Sequence, residues 1–312
     1  MLNIVTIHAI RKTPSLSKNL KTLLLSLAVS DLGVGLLAQP MTVVDLISTN
    51  LNENNETGKT YNAMHIAFLL PMNLFTFATL FLVIVLCADR FIAIQYYLRY
   101  QELVTHKRVV AVVVSIWVLS GLFSLTRLWI RKSMHVVFGI TVLACVIAAT
   151  FFSVRIYFSV RRHLNQIQVQ QLQQASQNGQ MASVTRLRKV AIMAVYVCLV
   201  VQVCYLPHIC STFAVAFTSV SNTAEEHLYY YYTLTLSFLN SSLNPLIYCW
   251  KMKHVRNTII GLLRKAFSSQ NWGEFWEECS KHYELFFIYA PKDSNDNFIL
   301  NKRRKFCLSS SL

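Results

Sequence analysis

The chain has 312 residues, of which 54% are hydrophobic and 14% are charged, and its mean hydropathy is +0.42. Soluble domains carry about 25% charged residues, so a single soluble core is excluded and a membrane protein is indicated. The formal net charge of +15 suits anionic lipid head groups and acidic partners. Nucleic acid is not indicated as a partner, because no basic patch is interleaved with aromatic residues.

Six apolar segments are long enough to cross about 30 Å of hydrocarbon as helices. They are residues 20–48, 61–95, 109–130, 133–160, 190–218 and 228–250. A shorter one, Met1 to Ile10, precedes them and reaches only about 15 Å at helical rise. The pattern predicts an all-α membrane protein. We expect residues 1–250 to form a seven-transmembrane helix bundle whose first helix is truncated at its outer half.

Basic residues give the orientation of the bundle. Thirteen lysines and arginines lie in the connections at 11–21, 99–108 and 155–189, whereas four lie in the opposite connections. Loops rich in lysine and arginine face the cytoplasm. We therefore expect a multi-pass protein of the plasma membrane, with these loops and the C-terminal tail cytoplasmic. The glutamine-rich stretch 165–180 is predicted to be a solvated inner loop or an extension of the fifth span.

Residues 251–268 interleave basic and apolar side chains at helical spacing, which predicts an amphipathic helix on the inner leaflet, in contact with membrane lipids. Residues 269–312 are predicted to be a disordered cytoplasmic tail. Its last residues, Ser309 to Leu312, follow a basic cluster and resemble a phosphorylation site that arrestin reads and a PDZ-binding terminus. The alternative is an unused disordered end.

None of the eight cysteines lies in an outer loop, so we expect no structural disulfide on the oxidising side of the membrane. One glycosylation sequon, Asn55-Glu56-Thr57, follows the second span. Asn55 is therefore the predicted glycosylation site.

Ionisable residues mark the interior and the edge of the spans. The third span ends in Asp89-Arg90-Phe91, and Asp31 lies in the middle of the second span. Charged groups are costly in a membrane and usually functional. A carboxylate at the depth of Asp31 needs polar partners or a cation. In the last span, Pro245 after Asn244 frees a backbone carbonyl and bends the helix.

The chain carries one short motif in each span. In their order along the chain, these motifs resemble those of the rhodopsin-like (class A) family of G-protein-coupled receptors over residues 3–267. The motifs are Asn3, Leu27-Ala28-Val29-Ser30-Asp31, Asp89-Arg90-Phe91, Trp117, Tyr157, Cys204-Tyr205-Leu206-Pro207 and Asn244-Pro245-Leu246-Ile247-Tyr248. The resemblance implies a receptor for an extracellular ligand that acts on heterotrimeric G proteins and has no enzyme site of its own.

The resemblance also implies roles for single residues. Arg90 is expected to turn toward the G protein when the sixth span swings outward; the alternative is an arginine that snorkels to the interface beside Asp89. Tyr157 and Tyr248 are expected to face inward near the cytoplasmic end. The predicted coupling and switch residues are Asp89, Arg90, Tyr157, Tyr205, Pro207, Asn244, Pro245 and Tyr248.

No cofactor is expected other than an allosteric sodium ion. The resemblance implies that this ion is held by a polar hub whose residues are Asp31, Asn240, Ser241 and Asn244. A static polar network that fixes helix packing is the alternative.

Several positions depart from the family pattern. Tyr205 stands where the family has a tryptophan, and Leu187 stands where many members place an acid that locks the arginine. The outer disulfide and the fifth-span proline are missing. These absences, with a short second outer loop, resemble the melanocortin, cannabinoid, lysophospholipid and adenosine receptor branch.

The ligand pocket is expected between the outer halves of the spans. Its predicted lining is Met72, Asn73, Thr76, Thr141, Tyr205, His208, Ile209, Thr212, Tyr230, Leu234 and Phe238. An apolar and aromatic lining with few polar groups suits a small amphipathic or lipid-like ligand. The alternative to a receptor is a truncated, non-signalling scaffold or decoy. A small transporter is less favoured, because Asp31 alone lies deep in the membrane.

Overall fold

The computed structural model describes residues 2–14, 16–51, 58–97, 99–126, 134–171, 178–217 and 224–266, and every regular element in these ranges is helical. In chain order the helices are α1 Leu2–Lys12, α2 Lys18–Gly33, α3 Gln39–Leu51, α4 Gly58–Gln95, α5 Tyr100–Leu103, α6 His106–Leu125, α7 Met134–Gln171, α8 Asn178–Phe217, α9 Ala224–Lys251 and α10 Lys253–Ala266. A π-helical turn, Val34–Ala38, joins α2 to α3, which together form one span.

Five helical segments in the described ranges are long and apolar enough to cross a membrane. They are Lys18–Ser48, Ile66–Gln95, His106–Leu125, Val136–Arg162 and Lys189–Ala214. Each overlaps one of the predicted spans. The sixth predicted span coincides with α9, whose 28 residues extend about 42 Å at helical rise but include more polar side chains. With the short α1, these helices confirm the predicted all-α seven-helix bundle.

Helix α4 lies at the centre of the bundle and packs against α2, α3, α6, α7 and α8. Ala78, Leu82 and Leu86 recur every four residues on its buried face, as expected for one side of a helix. On the outer surface of α8, Val203 is 67% exposed, which suits a side chain in contact with lipid. Polar side chains avoid hydrocarbon, so the chemistry of this bundle is concentrated in its interior.

Two neighbouring helices each carry an internal proline. Pro207 lies inside α8 and Pro245 lies inside α9, and these two helices pack against each other. Each proline removes a helical N–H donor, so adjacent helices both have a point where they can bend. Gly33 marks a close approach of α2 to α4, since a Cβ atom there would overlap the Phe75 ring.

The chain divides into two compact units, Met1–Leu262 and Leu263–Leu312. A helix is present within the predicted range 251–268 as α10, in which Val255 and Ile259 are buried, and its contact with the inner leaflet stays a prediction. Of the two alternatives for the glutamine-rich stretch, the helical one holds as far as Gln171, where α7 ends. Asn55 and residues 267–312 lie outside the described residues, so the glycosylation, phosphorylation and PDZ predictions stay predictions.

Candidate functional sites in the helix bundle

The end of α4 that the sequence predicts to be cytoplasmic, called the inner end below, carries a buried ion pair between Asp89 and Arg90, which are 5% and 4% exposed. Nε of Arg90 donates to Oδ2 of Asp89 at 2.9 Å, and an Nη of Arg90 contacts the same oxygen. The Tyr100 hydroxyl, at the start of α5, donates to Oδ1 of Asp89 at 2.7 Å. Both carboxylate oxygens are therefore engaged. A snorkelling arginine would expose its guanidinium, whereas that of Arg90 is covered.

Tyr100 remains a hydrogen-bond donor at physiological pH. Burial and the negative charge of Asp89 raise the pKa of its phenol to about 12. The loop that carries Tyr100 is fixed at its far end, because Nδ2 of Asn19 donates to the Val104 carbonyl at 2.8 Å. Helix α2 therefore helps to hold the Tyr100 hydroxyl over the ion pair.

A second polar cluster lies inside the membrane where α2 meets α9. Nδ2 of Asn244 donates to Oδ2 of Asp31 at 2.9 Å, and the Ser241 side chain also bonds this carboxylate. Nδ2 of Asn3, on α1, donates to the Ser241 carbonyl at 3.1 Å. The structure thus brings Asp31, Ser241 and Asn244 together, as the sequence predicts.

Several buried polar atoms of this cluster have no hydrogen-bond partner among the described residues. They are Oδ1 of Asp31, Oδ1 of Asn3, Oδ1 of Asn244, both amide atoms of Asn240, and the Tyr248 hydroxyl. Buried polar atoms normally find a partner. A carboxylate with amide and hydroxyl oxygens is the donor set that suits a hard cation, so these residues fit a sodium ion. Among the described residues, no hydrogen bond joins Asn240 to Asp31.

Above this cluster, the outer halves of α4, α8 and α9 bury a mixture of polar and apolar side chains. His208 is 1% exposed, and its Nδ1 lies 3.5 Å from the Thr233 hydroxyl. The Ser211 and Thr233 hydroxyls are 2.8 Å apart. The rings of Phe138 and Tyr230 flank His208, with centroids 6.2 and 5.2 Å away. His208 therefore has an aromatic surround with hydroxyl groups on one side.

Most of the predicted pocket residues lie in the bundle interior. Those less than 9% exposed are Met72, Asn73, Thr76, Tyr205, His208, Ile209, Thr212, Leu234 and Phe238. Tyr205 is linked to α4 through a hydrogen bond with Thr76. The hydroxyls of Thr141 and Thr212 instead donate to carbonyls of their own helices, at 2.8 and 2.7 Å. In this conformation neither hydroxyl is free to donate to a ligand.

One predicted orientation is wrong. Tyr157 was expected to face inward with Tyr248, but it is 57% exposed and its ring stacks edge-on against Phe158. Ile156, its neighbour on α7, is the side chain that faces the interior. Helix α7 is hydrophobic on most sides, so its sequence gives only a weak indication of which face is buried. Tyr248 is fully buried, as expected.

Sequence reasoning missed several polar contacts, among them three at buried side chains. Tyr100 holds Asp89, the Ser30 and Thr79 hydroxyls lie 2.7 Å apart, and Tyr231 donates to Oδ2 of Asp45 at 2.7 Å. Asp45 is 1% exposed. A carboxylate inside a span was the available signal for the last contact. The other two depend on Tyr100 and Thr79, which lie outside the family motifs.

Comparison with known proteins agrees with this arrangement. The family model described as "7 transmembrane receptor (rhodopsin family)" matches residues 2–148 and 127–248. The chain therefore belongs to the rhodopsin family of seven-transmembrane receptors, and it is a multi-pass membrane protein.

The similar proteins fall in the branch that the sequence features resemble. Adenosine receptor A3 of Ovis aries is 23% identical over 296 residues, which cover 86% of each chain. Adenosine receptor A2a of Homo sapiens is 26% identical over 84% of this chain and 68% of its own. Melanocortin receptor 4 of Danio rerio is 26% identical over 82% of this chain and 77% of its own. The chain is thus a rhodopsin-like receptor of the adenosine and melanocortin branch.

Proposed function

We propose that this protein is a plasma-membrane receptor that couples a small extracellular ligand to guanine-nucleotide exchange on a heterotrimeric G protein. The observation that supports this most is the clamp on Arg90, by which we mean Asp89 and Tyr100 holding a buried guanidinium at the inner end of the central helix. Charged side chains buried at a membrane span are energetically costly and are usually functional. In our proposal, Arg90 contacts the G protein after the clamp opens.

Ligand binding supplies the free energy for this opening. A ligand that contacts α4, α8 and α9 at their outer halves shifts the population if it binds the open state more tightly than the closed one. Pro207 and Pro245 are the points at which α8 and α9 change shape. A sodium ion at Asp31 is proposed to favour the closed state, because it would tie the carboxylate to Ser241 and Asn244 of α9.

The surroundings of His208 favour a small amphipathic ligand with one or two hydrogen-bonding groups. Since several relatives are named as adenosine receptors, adenosine is the first compound to test, and lipid-like compounds come next. Arrestin, a PDZ protein and membrane lipids are further proposed partners, through residues 251–312.

The test is nucleotide exchange by the chain reconstituted in lipid nanodiscs, with one representative of each Gα class and a compound panel of nucleosides, lipids, amines and peptides. We expect at least one Gα to bind a non-hydrolysable GTP analogue faster than with empty nanodiscs. No acceleration with any class and any compound would contradict the proposal and favour the scaffold or decoy alternative.

A further inference from the structure

Two cysteines from different helices meet in the inner half of the bundle. Sγ of Cys87 on α4 and Sγ of Cys198 on α8 lie 2.6 Å apart, and both residues are fully buried. The Cys87 thiol also faces the Ala194 carbonyl of α8 at 3.7 Å. Ala194 and Cys198 are four residues apart, so one face of α8 is in contact with Cys87.

A third helix closes this contact. The Ser153 side chain of α7 lies within hydrogen-bond reach of both sulfurs and is itself 6% exposed. Helices α4, α7 and α8 therefore hold the two thiols next to each other. A disulfide has an S–S bond of about 2.05 Å, so closing the bond requires the sulfurs to approach by roughly half an ångström.

The cysteine pair lies close to Arg90 along α4. Cys87 and Arg90 are three residues apart and share one face of α4. A covalent bond from Cys87 to Cys198 would fix α8 to α4 one turn above the Arg90 clamp. Helix α8 could not then move away from α4 at this level.

We propose that Cys87 and Cys198 form an oxidative modification site at which a peroxide converts the two thiols to a disulfide joining α4 to α8. One sulfur attacks the peroxide O–O bond, which yields a sulfenic acid and one water. The second sulfur then displaces hydroxide from the sulfenic acid, and its proton leaves with that hydroxide as a second water. Two thiols lose two electrons, and one hydrogen peroxide is reduced to two waters. Cytosolic thiol reductants make the bond reversible.

Formation of the disulfide can be tested without measuring signalling. A protease recognition sequence inserted between Gln171 and Asn178 allows the chain to be cut between α7 and α8, in nanodiscs, after treatment with hydrogen peroxide and alkylation of free thiols. On a non-reducing gel we expect the two fragments to stay joined in the oxidised protein and to separate after dithiothreitol. Fragments that separate without reductant would overturn the proposal.

Single substitutions identify the pair. We expect Cys87→Ser and Cys198→Ser each to lower the joined fraction more than about tenfold, because serine cannot form a disulfide. Cys145→Ser on α7 and Cys210→Ser on α8 are matched controls, one in each fragment, and should leave it unchanged. A joined fraction that persists in Cys87→Ser, or disappears in Cys145→Ser, would assign the bond elsewhere and contradict the proposal.

The effect on signalling rests on the proposed function and is measured separately. Oxidised wild-type receptor should lose most of its nucleotide-exchange activity and regain it with dithiothreitol, whereas Cys198→Ser should be insensitive to peroxide. Unchanged exchange in a receptor shown to be joined would overturn the helix-fixing consequence. If the reduced receptor catalyses no exchange at all, the proposed function fails, while the gel still decides whether the disulfide forms.

Discussion

Tyr100 donates a hydrogen bond of 2.7 Å to the Asp89 oxygen that does not bind Arg90. This contact joins the loop after α4 to the ion pair at the inner end of that helix. It provides a restraint on Arg90 from the chain's own second inner loop. On α8, residue 187 is a leucine where many family members have an acid that locks the arginine.

Removing the Tyr100 hydroxyl should therefore loosen the clamp. We expect Tyr100→Phe to raise ligand-independent nucleotide exchange about fivefold, which corresponds to losing about 1 kcal/mol of stabilisation of the closed state. Tyr96→Phe is the control, because Tyr96 is 51% exposed. Equal basal exchange in wild type and Tyr100→Phe would show that this hydrogen bond does not restrain Arg90.

The raised pKa of the Tyr100 phenol predicts that the stability of the fold depends on pH. This pKa is about 12 in the folded protein and about 10 in an unfolded chain, so folding favours the protonated form. The resulting stabilisation should be fully present below about pH 10 and lost as pH rises through about 12. We expect the difference in melting temperature between wild type and Tyr100→Phe to be constant up to pH 10 and to shrink above it. A difference that shrinks between pH 7 and 9 would contradict the assigned pKa.

The polar cluster at Asp31 should respond to sodium. We expect replacement of choline by sodium at about 0.15 M to lower basal exchange in wild type, and this response to vanish in Asp31→Asn, which removes the negative charge that balances the cation. Asp45→Asn is a matched control, because Asp45 is an equally buried carboxylate bonded to Tyr231 at the outer end. A sodium response retained by Asp31→Asn would favour the static polar network.

His208 should determine ligand potency and not basal activity. With the most potent compound from the screen, His208→Phe should lower potency about tenfold, the loss expected for one buried hydrogen bond of about 1.4 kcal/mol. Cys210→Ala, two positions along α8 and exposed, should leave potency unchanged. Equal potencies in wild type and His208→Phe would place the ligand elsewhere.

The helices were predictable from hydropathy, because backbone groups in hydrocarbon must be satisfied within a helix and that requires long apolar segments. The Asp31 cluster was predictable as well, since a carboxylate in mid-membrane needs partners and Asn244 is one. In both cases the sequence shows directly which residues are constrained: the long apolar segments, and the carboxylate within one of them.

Contacts between distant segments were not predictable in this way. Tyr100 lies in a polar loop where a tyrosine is unremarkable, and its bond to Asp89 depends on how the loop folds back. Cys87 and Cys198 are 111 positions apart, so only helix packing brings them together. The predicted orientation of Tyr157 was wrong, because α7 is hydrophobic on most sides and its rotation is set by the neighbouring helices.

In the proposed function, Arg90 couples this receptor to a G protein once it is released from Asp89 and Tyr100. The most direct measurement is nucleotide exchange on the Gα that responds to wild type, with Arg90→Ala and Arg108→Ala compared in nanodiscs at equal receptor density. Arg108 is an exposed inner-face arginine that donates to the Leu103 carbonyl at 2.8 Å. We expect Arg90→Ala to lose exchange and Arg108→Ala to retain it. Equal exchange by the two variants would show that Arg90 does not couple the receptor to the G protein.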